Sequence, residues 1–141
     1  MNFLKIKNFS RNNNITKVDS SDKTVKKVTE FYNFKPFPHY KKDDNKNTIL
    51  EKGNKNLLTK EFKKEVGFNK NILEVGCGTG QLSSYLSIGT NNNVVAMDAT
   101  LQSLNLAEEF AKKNNLQNIN FLNADIFDDV LVDNFFDFIW C

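Results

Sequence analysis

Residues 74 to 80 read EVGCGTG, a carboxylate, a thiol and three glycines at alternate positions. Glycine destabilises regular structure, so this density marks a turn whose backbone takes left-handed angles or approaches something closely. The amides of such a turn, with a helix starting just after it, favour a carboxylate or a phosphate. A tight strand-to-helix connection without any ligand needs the same residues, so the turn decides nothing alone. Two further carboxylates narrow the reading. Asp98 closes the run VVAMD, 22 positions after Gly76. An ionised carboxylate only accepts, and at a strand end it can take both hydroxyls of an adenosine ribose. Its alternative is to cap the next helix, a task equally open to Thr100. Asp125 ends another apolar run, in NADIFD. It can accept from an adenine amino group with Ala124 and Ile126 flanking the ring, or simply face water.

These groups need elements to hold them. Ile72 to Val75 reads as a short strand ahead of the turn, and Gln81 to Ile88 as a helix with Leu82, Tyr85 and Leu86 on one face. Val94 to Met97 is a second strand. Thr100 to Asn114 is a second helix, with Leu101, Leu104, Ala107, Phe110 and Ala111 sharing a face. Ile119 to Leu122 and Phe136 to Trp140 supply a third and a fourth strand. Short apolar strands alternating with helices are the pattern of a parallel sheet covered on both faces, here a Rossmann-like doubly wound α/β unit. Ligands of such sheets bind beyond the carboxyl ends of the strands, at the topological switch point. The fourth strand is expected beside the first. Ending there leaves Phe138 to Trp140 as an apolar edge, so the sheet is expected to be incomplete and the chain a fragment of a longer domain.

Upstream, residues 1–24 read as a polar, asparagine-rich, loosely ordered tail, and residues 25–70 as a helical and aromatic segment preceding the core at 71–141. Within it, Val25, Val28, Phe31 and Tyr32 have helical spacing. Pro36 and Pro38 take FKPFPHY out of helix. KKDDNKN reads as a solvated loop. Leu58, Phe62 and Val66 repeat every four residues before Gly67, the signature of a short helix and its stop.

The choice of ligand follows from two positions. Dinucleotide sites favour G-x-G-x-x-G, but here the third glycine is Gly80 and Gln81 stands where that motif has its last glycine. Glu74, just before the turn, would repel a pyrophosphate and suit an amino group. Adenosine at one end and an amino acid at the other describes S-adenosylmethionine. EVGCGTG, VVAMDAT, NADIFD and FDFIWC, in that order, resemble the motifs of class I S-adenosylmethionine-dependent methyltransferases. The intervening LQSLNLAEEFAKKNNLQNINF resembles that family's second helix and third strand. The resemblance covers residues 71–141. FYNFKPFPHY is similar to a segment preceding the core in a subgroup of bacterial methyltransferases.

The resemblance implies roles for the matching positions. Glu74 and the backbone of Gly76 and Gly78 would hold the methionine end of the cofactor. Asp98 would take the ribose, with Ala99 beside the adenine, and Asp125 and Ile126 would complete the adenine pocket. It implies no catalytic base. His39, the single histidine, is a candidate only through its place in the aromatic segment, which either folds over the cofactor to enclose an acceptor or simply packs on the sheet. Cys77 reads as a small residue the turn tolerates.

Composition bounds the rest. The 141 residues suffice for one domain, and 40% hydrophobic with 26% charged residues is the balance of a globular chain. A net charge of +2, with lysine pairs spread among acids, points to no nucleic-acid patch and no membrane surface as partner. No run is apolar enough to span a bilayer, and the two cysteines form no ligand spacing, so a reduced, cytoplasmic setting is expected. The methyl acceptor is not specified by these residues. Two other readings stay open: a nicotinamide-dependent oxidoreductase of the same fold, and a truncated, non-catalytic cofactor-binding fragment.

Overall fold

The computed structural model describes residues 3–6, 9–12, 14–18 and 36–141. Among them one mixed sheet has the order β1-β2-β5-β4-β3-β6. Its strands are β1 (Ser10–Asn12), β2 (Ile15–Lys17), β3 (Asn71–Val75), β4 (Asn93–Asp98), β5 (Ile119–Asn123) and β6 (Phe138–Trp140). The helices are α1 (Lys46–Lys55), α2 (Leu57–Val66), α3 (Gln81–Ser87) and α4 (Leu101–Lys113). All pairings are parallel except the β1–β2 hairpin. The chain runs outward from β3 through β4 to β5, then returns to lay β6 on the other side of β3. That reversal is the switch point, and the glycine turn leaves β3 there. The Rossmann-like doubly wound architecture expected from the sequence is thus the one formed.

The central strands are apolar on both faces because both are covered. Ile72, Val94, Ala96, Ile119 and Phe121 face α3 and α4, while Leu73, Val95, Met97 and Leu122 meet Phe3, Leu4 and Val130. Helix α4 buries Leu104, Ala107, Phe110 and Ala111, as its spacing requires, although Leu101 in its first turn stays 38% exposed. Helix α2 ends at Gly67, with Val66 buried and Phe62 laid against the rings of Phe138 and Trp140. Leu58, expected on the same face, is exposed.

Three expectations are corrected. Within residues 1–24, read as a loose tail, Ser10–Asn12 and Ile15–Lys17 form a hairpin whose second strand pairs with β5. Ile15 and Thr16 are buried there, and Asn14 Nδ2 donates to the Ile119 carbonyl at 2.6 Å. This pairing covers the outer edge of β5. The stretch KKDDNKN is not all solvated loop, since α1 begins at Lys46 and Asp44 is buried. Asp44 accepts from Lys41 N–H at 2.8 Å and from Lys52 Nζ at 2.7 and 2.8 Å. Asn45 and Thr48 then cap the helix reciprocally. Lys63, which with Lys64 forms one of the lysine pairs expected to be a solvated face, donates instead to the carbonyls of Tyr85 and Ile88 at the end of α3. Its burial lowers the ammonium pKa to about 8. The expected helix at Val25 to Tyr32 lies outside the described residues.

Helices α1 and α3 approach so closely that a Cβ on Gly53 would lie 2.2 Å from the Tyr85 ring. Gly53→Ala is therefore expected to destabilise the fold by about 1–3 kcal/mol, the usual range for overpacking. Urea denaturation checks this, and an unchanged midpoint would mean that the two helices do not meet there.

Candidate functional site

The glycine turn is built from left-handed backbone, with φ of 69° at Gly76, 54° at Gly78 and 71° at Gly80. Each angle is one that a side chain resists. The register brings the ends of the three central strands level: Val75 pairs with Met97, and Asp98 with Asn123. Glu74 and Asp98 project on the α3 face by strand alternation. Gly78 N–H donates to Asp98 Oδ2 at 2.8 Å, and Thr100 N–H to Asp98 Oδ1 at 2.7 Å. Asp98 therefore ties the turn to β4 and holds the amide of Thr100, the N-cap residue of α4; neither its side chain nor that of Thr100 caps the helix. Each of its oxygens keeps a lone pair for a further donor.

Glu74 is 6% exposed, and its carboxylate accepts from the Ser83 hydroxyl in α3. Burial, helped by the nearby Asp98 charge, raises its pKa to about 7. Burial also pushes the Cys77 thiol well up, so it is no ready nucleophile and remains a small residue inside the turn.

The aromatic segment docks directly on this turn. Thr79 N–H donates to the Phe37 carbonyl at 3.3 Å, its hydroxyl donates to the Pro38 carbonyl, and Tyr40 returns a bond to the Thr79 carbonyl at 2.9 Å. A Cβ on Gly78 would stand 2.1 Å from the Phe37 carbonyl oxygen, so glycine is required there by contact as well as by φ. The Tyr40 ring stacks on Phe110 with centroids 4.3 Å apart. Of His39, the structure uses the carbonyl, which accepts from Gln81 Nε2 at 3.2 Å, while the side chain is exposed.

Between this segment, α1, α2 and α3 lies a cleft of about 450 Å³. Glu74, Gly76 and Cys77 line it, with Phe37, Gln81, Tyr85 and Trp140. Gly76 faces open space, with nothing within 4 Å of where a Cβ would be. The other expected site residues lie off this cleft. Ala99 follows Asp98 and is fixed by Asn123 Nδ2, which donates to both of their carbonyls. Asp125 forms a turn of its own, accepting from Phe127 N–H and donating its amide to Asp128. Ile126 is 56% exposed and lines a groove on the opposite side of the sheet. The structure thus gathers Glu74, Gly76, Gly78 and Asp98, and leaves Asp125 and Ile126 at the neighbouring strand end. Sequence reasoning missed the supports Ser83, Thr79 and Asn123, which are ordinary polar residues without a motif of their own.

An α/β sheet with a left-handed glycine turn at its switch point and an acid at the end of the next strand defines a Rossmann-like nucleoside-binding protein. The particular family comes from comparison. Residues 72–141 match the methyltransferase domain family, and over them the chain belongs to the class I, S-adenosylmethionine-dependent methyltransferases. A putative protein N5-glutamine methyltransferase of Methanocaldococcus jannaschii is 39% identical over 62 residues, which are 44% of this chain and 31% of that protein. An Aquifex aeolicus S-adenosylmethionine-dependent methyltransferase structure superposes with a TM-score of 0.51 at 26% identity, covering 69% of this chain and 56% of that one. The [4+2]-cyclase SpnF superposes at 0.61 with 15% identity over 83% of this chain and 48% of its own, a likeness of fold alone. The chain therefore spans between about a third and just over half the length of these relatives. Family and neighbours imply S-adenosylmethionine as cofactor, and the site fits it. Asp98 keeps acceptor capacity for hydroxyl groups, the space over Gly76 is open, and Glu74 is a carboxylate able to meet an ammonium group. Among the described residues, no helix is long and apolar enough to cross a membrane.

Glu74 carries a pH signature. Its ordinary pKa is 4.5 and its folded value about 7, so between these the folded state holds more protons. The contribution to stability is full below about pH 4.5, falls as pH rises, and is gone above about pH 7. At about 1.36 kcal/mol per unit the loss is roughly 3 kcal/mol. Glu74→Gln is expected to remove it, so that the stability of the variant relative to wild type rises by that amount between pH 4.5 and 7.5 in denaturant titrations. A difference constant with pH would show that Glu74 is not buried as described.

Proposed function

We propose that this protein transfers a methyl group from S-adenosylmethionine to an acceptor. The observation carrying the reading is the bond from Gly78 N–H to Asp98, which sets an acceptor for a nucleoside ribose beside a glycine turn at the switch point. The family match over residues 72–141 supports it. The sulfonium supplies an activated methyl group, so the chain's own task is mainly alignment and exclusion of water; proximity and orientation account for about 7–11 kcal/mol of a barrier. In this reading Glu74, with Gly76 and Gly78, receives the amino-acid end, and Asp98 takes the ribose with Ala99 beside the adenine. Asp125 and Ile126 close the adenine side. Ser83 holds Glu74 in place, and Asn123 holds the backbone of Asp98 and Ala99. Two free cysteines, one buried and one exposed, support a reduced, cytoplasmic setting.

The nicotinamide reading is disfavoured by Glu74, since a buried carboxylate beside the turn repels a pyrophosphate. Thermal melts separate the two. S-adenosylhomocysteine at 100 times its Kd is expected to add about 2.7 kcal/mol, several degrees in Tm, with NAD giving no shift. Asp98→Ala is expected to abolish the S-adenosylhomocysteine shift. A shift with NAD alone would overturn the methyltransferase reading.

A further inference from the structure

Among the described residues, every titratable group that bears on Glu74 is another acid. Asp98 faces it from the end of β4, Cys77 from the glycine turn and Tyr40 from the aromatic segment. His39 of that segment is exposed and bonds through its carbonyl. Helix α3 brings Glu74 only the Ser83 hydroxyl, for Gln81 to Ser87 include no charged residue. The strands on either side pair it with Ala96 and Trp140, which are neutral. The one lysine lining the cleft is Lys52 of α1, and both Asp44 oxygens already hold it, at 2.7 and 2.8 Å. Of α2 and its N-cap, the cleft meets the neutral Asn56 and Thr59, while Lys63 is bonded to carbonyls at the opposite end of α3.

A carboxyl buried without a counter-charge holds its proton more tightly than one in water. Glu74 does so, with a pKa of about 7. Glu74 nevertheless lines the cleft, where a cation can reach it. An ammonium group would supply the counter-charge that the chain does not, and would favour the ionised carboxylate. We propose that Glu74 exchanges its proton for the ammonium end of the cofactor: the carboxyl loses that proton to water as it receives the amino group, and Ser83 is the positioning residue that fixes the carboxyl for the exchange. Glu74 thereby selects ligands that carry a free amino group, and selects them less well as pH falls. This deepens the methyltransferase reading and rests on it for the ligand.

The test compares S-adenosylhomocysteine with 5′-methylthioadenosine, which has the same nucleoside and thioether but no amino-acid end. Titration calorimetry in two buffers of different ionisation heat counts the protons released, and affinities are measured between about pH 5.5 and 7. S-adenosylhomocysteine is expected to release a fraction of one proton near the middle of this range. It is expected to bind about fivefold or more weaker at the acid end, against a limit of about tenfold per pH unit for one linked proton. 5′-Methylthioadenosine is expected to release none and to bind equally throughout. Glu74→Gln is expected to retain 5′-methylthioadenosine, which reports that it is folded, and to bind S-adenosylhomocysteine with neither proton release nor pH dependence. Ser83→Ala removes a bond to the ionised carboxyl, so the pH profile for S-adenosylhomocysteine is expected to move to higher pH, and Ser83→Thr to restore it. Weakening of both ligands alike with the profile in place overturns the role of Ser83. The comparison of the two ligands on the wild-type chain decides the exchange even where a variant fails to fold. Proton release with both ligands overturns it, and so does release with neither. S-adenosylhomocysteine binding without proton release leaves the cofactor reading standing, whereas binding of neither ligand at pH 7 overturns that reading as well.

Discussion

Left-handed backbone at three alternate positions is the constraint on which the rest of this structure depends. Gly78 and Gly80 each have a neighbour exactly where a side chain would begin, the Phe37 carbonyl at 2.1 Å and the Ala107 methyl at 2.9 Å. The first contact seats the N-terminal aromatic segment; the second lets α4 pack against the turn. Gly76 has no such neighbour and opens onto the cleft. One turn therefore joins β3 to α3, holds Asp98 through an amide, and leaves a single point of access. A side chain at either crowded position would separate elements that are distant in sequence.

Attachment of the aromatic segment runs mostly through main-chain atoms. Carbonyls of Phe37, Pro38 and His39 accept from Thr79 and Gln81, and only Tyr40 uses its side chain in return. The rings of Phe37 and His39 are consequently free to face outward. The segment is neither a lid resting on the sheet nor a loose strap. It is a wall of the cleft, fixed at its base and variable at its rim, which suits a scaffold whose chemistry is constant and whose partner is not.

What the sequence made legible was whatever repeats or carries a motif. β3, β4 and β5 are apolar runs, α4 has a clear period, and the glycine turn with Asp98 is a spaced pattern. Helix α1 escaped because it buries little beyond Ile49, and a face of one residue has no period. The hairpin escaped because β1 is exposed throughout and its partner strand buries only Ile15 and Thr16. Lys63 and Asp44 look like surface charge in sequence, and only packing reveals that one caps a helix and the other anchors a lysine. The supports of the site were hidden for the same reason: Ser83, Thr79 and Asn123 act through geometry that spacing along the chain does not encode.

The pairing of β2 with β5 also orders events in time. Asn14 bonds to Ile119, 105 residues further along, so the β1–β2 hairpin has no sheet edge to join until β5 has been made. At about 5–20 residues per second of synthesis, that wait is roughly 5–20 s. During it the hairpin residues must remain harmless, and their sequence is suited to waiting. SRN and ITK are short, polar and charged, poor templates for pairing with another chain. The strand that completes the sheet edge last is thus the one least able to associate wrongly beforehand.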